Sequence, residues 1–88
     1  MHLRLDIKNE KLFTGEIMKD DWTGEQVLRF AIDREIISKD FYLTLKNTVS
    51  DEIAKDVLLT FAQAECEHKD NLELELIKRG MVITPLPC

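Results

Sequence analysis

From Gly24 to Arg79 the chain contains no proline, and its apolar residues recur every three or four positions. That pattern leaves little choice but α-helix. Thr23-Gly-Glu-Gln26 has the form of a capping box, in which a threonine hydroxyl and a glutamine amide satisfy the orphan amides of a helix start. The stripe that follows runs Leu28, Ala31, Ile32, Ile36, Tyr42, Leu45. A second set, Val27, Phe30, Ile37 and Phe41, widens it enough to meet more than one neighbour. "NTVS" (47–50) breaks the pattern, with Ser50 as the expected N-cap and Asp51 and Glu52 suited to the positive end of a second helix dipole. This second helix runs through Ile53, Ala54, Val57, Leu58, Phe61, Leu72 and Leu76 and closes on Lys78-Arg79-Gly80. The predicted fold is an all-α, antiparallel two-helix hairpin spanning 23–80, with an arm at 1–22 and a tail at 81–88. Leu3, Leu5 and Ile7 alternate with charged residues, a short strand signal within the arm. Pro85 and Pro87 keep the tail out of helix.

A hairpin of this kind cannot cover its own apolar faces. In a chain of 88 residues the core is thin unless a partner adds to it. The hairpin must pair with another copy or another protein; another copy would give a homodimer or a higher even-numbered homo-oligomer. A net charge of −5 argues against nucleic acid or an anionic membrane, which need clustered Lys and Arg. No apolar run approaches the ~20 residues that cross a bilayer. Two cysteines, Cys66 and Cys88, do not make a disulfide framework and read as reduced thiols in a cytoplasmic protein. Trp22 reads as a hydrophobic staple, and Glu67, Asp70, Glu73 and Glu75 as an outer, solvated face.

Polar residues interrupt the apolar stripes at one level. Glu35 falls on the first stripe; Glu65 and His68 fall on the second, one turn apart and on the same helix face. Glu35 lies 14 residues before Val49, and Glu65 and His68 lie 16 and 19 after it. At 1.5 Å per residue they reach about 21, 24 and 28 Å from the turn, a common depth. Two carboxylates and an imidazole among Ile, Leu and Phe cost several kcal/mol unless paired or bound to a cation. A hard or borderline divalent metal suits this oxygen and nitrogen set. One Glu on one helix and a Glu-x-x-His on the other is half of the ligand set of a four-helix di-iron site. A twofold pair of chains would complete it.

"AIDREIISKDFY" (31–42) and "FAQAECEHKDNL" (61–72) resemble the two metal-binding helices of rubrerythrin-type, ferritin-like proteins over residues 22–80. With one such pair of helices, the chain is most similar to the half-length branch that includes the encapsulated ferritins. The resemblance implies that Glu35 and Glu65 are iron ligands, one or both bridging, and that His68 is a terminal ligand. Tyr42, with Phe41, matches the aromatic pair near the site. It implies a di-iron centre across the dimer interface, about one iron per chain, with Zn or Mn as substitutes. It also implies oxidation of Fe(II) by oxygen or peroxide, in the manner of a ferroxidase or a rubrerythrin-like peroxidase. An encapsulin-type shell is a further implied partner, although the tail "MVITPLPC" resembles no shell-targeting peptide. Two cysteines cannot form the four-cysteine iron site of a rubredoxin domain. The alternative readings are a non-enzymatic helical interaction or assembly protein, and a structural divalent-metal dimer.

Overall fold

The computed structural model describes residues 21–88. The strand signal at Leu3, Leu5 and Ile7, and nearly all of the arm, lie outside the described residues. Two helices, α1 (Gly24–Lys46) and α2 (Glu52–Lys78), form the hairpin. The capping box is complete: Gln26 N–H donates to Thr23 Oγ1 at 3.1 Å, and Thr23 N–H donates to Gln26 Oε1 at 2.9 Å. The N-cap of α2 is Asp51 rather than Ser50. Its carboxylate accepts from Ala54 N–H at 3.0 Å, adding a full negative charge at the positive end of the dipole. Trp22 sits edge-on to Phe30, at 5.2 Å between ring centroids, so its ring contact lies a turn beyond the staple position.

The end of α2 directs the rest of the chain. Gly80 adopts a φ of 81°, where a Cβ is disfavoured. Met81 N–H then donates to Leu76 O at 3.0 Å, and Gly80 N–H to Ile77 O at 2.9 Å. This double closure reverses the chain. The tail returns along one face of the hairpin, where Arg29 Nη2 donates to Val82 O at 3.1 Å.

That face holds the core. Among apolar residues described, only Ile32, Ala62 and Leu76 are fully buried. They share the interior with an ion pair. Lys69, 1% exposed, donates to Glu73 Oε1 at 2.9 Å and lies 3.0 Å from Asp70 Oδ1. The pair grips one peptide unit of the tail: Leu86 N–H donates to Glu73 Oε2 at 3.0 Å, and Lys69 Nζ donates to Leu86 O. Glu73 is therefore not on a solvated outer face. Burial alone would push the Lys69 ammonium down, but hydrogen bonds and charge from Glu73 and Asp70 outweigh it and raise its pKa above the ordinary lysine value. The contribution of this ion pair is thus fully present below the ordinary lysine pKa and lost as pH rises through the raised one.

Two residues further on, Cys88 forms a disulfide with Cys66, with Cα atoms 5.8 Å apart. The expectation of two reduced thiols is overturned, because the reversal at Gly80 carries Cys88 back beside the middle of α2. With it goes the reduced-thiol argument for a cytoplasmic location. Among the described residues no helix is long and apolar enough to cross a membrane.

Elsewhere the apolar surface stays open: Val27, Ile37, Val57, Phe61, Leu74 and Ile77 are each about half exposed. Ile53, expected on the inner stripe, is 76% exposed in the first turn of α2. The buried ion pair yields a double-mutant prediction. Lys69→Met should cost about 3–5 kcal/mol, since it leaves Glu73 buried without a counter-charge. Adding Glu73→Leu should recover most of that loss in urea denaturation. Additive losses would show that the pair is not the unit of stability.

Candidate metal centre

The face adjacent to the tail-covered one carries Glu35, Glu65 and His68. Successive residues are about 100° apart around a helix, so Glu65 and His68 point away from their neighbours Cys66 and Lys69, which serve the tail. Glu35 reaches across from α1. His68 Nδ1 lies 2.8 Å from Glu35 Oε2 and 3.2 Å from Glu65 Oε1. One ligand atom from each of the three residues falls within 4.8 Å of the others. The structure thus brings together the three residues singled out in the sequence. Among the described residues no other three acidic, histidine or cysteine side chains converge in this way.

Their electrostatics are unbalanced. Both carboxylates are less than one-fifth exposed, whereas His68 is 60% exposed. An imidazole nitrogen carries at most one hydrogen, so Nδ1 cannot donate fully to both oxygens. The shorter contact, to Glu35, has the length of a charge-assisted hydrogen bond. Burial raises the Glu35 pKa above the ordinary glutamate value, and the Glu65 charge adds to the rise; His68 and Arg34 only partly offset it. Arg34 gave no sequence signal, because a residue next to Glu35 on a helix does not share its stripe.

The donor set fits a divalent cation by type: two carboxylate oxygens and a nitrogen that becomes a ligand on losing its proton. It does not fill one by number, since three donors leave coordination positions open. The site lies at the edge of a groove of about 620 Å³ between the helices, lined by Val27, Leu28, Ala31 and Leu72 together with Glu35 and His68. Toward the turn, Tyr42 packs edge-on against Phe61 at 5.4 Å and against Phe41 at 5.6 Å. Phe61 precedes Glu65 by one turn, which puts this aromatic layer on the turn side of the three residues.

No protein-family model, curated protein or solved structure matches the chain.

The raised pKa of Glu35 predicts a pH dependence in the metal-free chain. Its contribution to stability is fully present below the ordinary glutamate pKa and is lost as pH rises through the raised one. Glu35→Gln should flatten stability across that window and leave the melting temperature at neutral pH unchanged or higher. A marked drop in melting temperature would mean that the ionised carboxylate is a net stabilising partner of His68.

Proposed function

We propose that the chain is one half of a ferritin-like di-iron carboxylate protein, in which two copies together hold two irons and oxidise Fe(II) with oxygen or peroxide. The observation that carries this reading is the convergence of Glu35, Glu65 and His68 on one open face, with two carboxylates competing for one imidazole proton. The two acidic oxygens share one imidazole nitrogen, and the Arg34 charge offsets the burial of Glu35 only in part, so a bound cation would attract both carboxylates. Three ligand residues per chain are half of the four glutamates and two histidines of a four-helix di-iron site, and a twofold pair of chains would supply both halves.

Each residue has a chemical part in this reading. Glu35 and Glu65 supply negative charge and oxygen ligands suited to both iron oxidation states. His68 would supply a nitrogen ligand beside them. What iron supplies when bound is two one-electron oxidations at close range, matching the two-electron reduction of peroxide. Tyr42, packed on Phe61, lies on the turn side of the ligands, where it serves as a nearby redox-active or hydrogen-bonding phenol. The apolar groove walls, once covered by a second copy, keep water from the site.

A second reading, an interaction module without metal chemistry, draws on the breadth of half-exposed apolar surface. Native mass spectrometry of protein loaded anaerobically with Fe(II), before and after exposure to air, separates the two. The di-iron reading predicts even-numbered assemblies with about one iron per chain, oxidised by air. It also predicts that Glu35→Ala and His68→Ala each weaken iron binding by roughly tenfold or more. A dimer that ignores Fe(II) sinks the proposal. Tight binding of zinc or manganese without reaction toward oxygen would instead assign a structural metal.

A further inference from the structure

We propose that Cys66 and Cys88 form a redox-reversible latch: oxidised, the disulfide holds residues 81–88 on the back face of the hairpin, and reduced, it lets that segment go. This inference concerns the face beside the three polar ligands and stands whether or not they bind metal.

The tail has little of its own to hold it. Met81 and Ile83 are half-buried, Ile83 beside Ile32 and Leu76, but Val82 is 91% exposed, Leu86 about half exposed, and Thr84, Pro85 and Pro87 are exposed as well. Apolar burial at this level does not fix an eight-residue segment against its conformational entropy. Its polar anchors are few. Arg29 holds Val82 O, and the Lys69–Glu73 pair holds the peptide unit of Leu86. Pro85 and Pro87 have no N–H, so the Leu86 amide is the one main-chain donor between Thr84 and Cys88, and Glu73 takes it. The disulfide lies two residues beyond this clamp and ties the far side of it to α2. With the crosslink present, Leu86 stays within reach of Glu73. Without it, each anchor must be re-formed by a segment that nothing on its far side tethers to α2.

Access favours chemistry at this bond. Cys88 is exposed and Cys66 is half-buried on α2. A small dithiol attacks the more accessible sulfur, Cys88 Sγ, as its thiolate; the S–S bond breaks and Cys66 leaves as a thiolate that takes up a proton. The second thiol of the reagent then closes its own disulfide and releases the Cys88 thiol. In reverse, a small-molecule disulfide accepts the two electrons of the cysteine pair and is itself reduced to two thiols.

The test uses the full chain treated with oxidised glutathione or reduced dithiothreitol. It follows hydrogen exchange at the Leu86 amide, free thiol content and helical circular dichroism. The expected result is a monomer-internal disulfide, slowing of Leu86 exchange by about tenfold or more in the oxidised form, and loss of that protection on reduction while the helices persist. The double variant Cys66→Ser/Cys88→Ser should exchange at the reduced rate under both treatments. Four outcomes overturn the latch. They are two free thiols after oxidised glutathione, disulfides only between chains, equal protection of Leu86 in both states, or unfolding of the helices on reduction, which would make the bond a structural staple.

Discussion

Two amphipathic helices bury one stripe of each other and no more, and most of this molecule follows from that constraint. The contact between α1 and α2 leaves two long faces beside the seam. On one, the chain supplies its own cover by reversing at Gly80 and running back over Ile32 and Leu76. On the other, no described part of the chain covers the groove, and there Glu35, Glu65 and His68 gather. The tail and the polar cluster are thus two consequences of one geometry. The interleaving along α2 makes this literal: Glu65 is followed by Cys66 and His68 by Lys69, so one turn of helix serves both faces.

The covered face is held by a polar device rather than a large core. An eight-residue segment with two prolines has few side chains to bury, but its main chain offers donors and acceptors at fixed positions. Lys69 and Glu73, four residues apart on α2, satisfy each other and the two polar groups of Leu86 at once. A buried ion pair adds little net stability against a well-packed apolar alternative. What it adds here is register. Sliding the tail by one residue would put a proline nitrogen against Glu73, which it cannot satisfy.

How much of this was readable from the sequence depends on how local each signal was. Both helices were legible because a capping box, an acidic first turn and a terminal glycine are short-range devices acting on continuous apolar periodicity. The meeting of Glu35, Glu65 and His68 was legible for a different reason: in an antiparallel hairpin, distance along the chain from the turn converts directly into depth. Lys69 and Glu73 were not, because a Lys and a Glu four apart on a helix usually form an exposed pair, and only the tail's return buries them. The cysteine pairing failed in the same way, since two cysteines 22 residues apart meet only through the path set at Gly80. The choice of Asp51 over Ser50 turned on one residue, at a boundary where both are good caps.

The three-residue cluster is best understood as a problem of one proton among three groups. In the metal-free chain His68 Nδ1 serves Glu35 more closely than Glu65, and the two carboxylates, held together by helices that meet for apolar reasons, repel each other. A hairpin built only for packing would place leucine or alanine at these levels, as it does one turn away at Ala31 and Leu72. Keeping two acids and an imidazole there is unfavourable in the isolated chain. Protonating Glu35 relieves it in part, and a divalent cation relieves it further, because the cation attracts both carboxylates and needs no proton from His68. The same step calls for more donors than one chain has, and the unfilled side of the site opens toward the uncovered apolar groove. In this reading, filling the coordination shell and covering that groove are one event, achieved by bringing up a second copy.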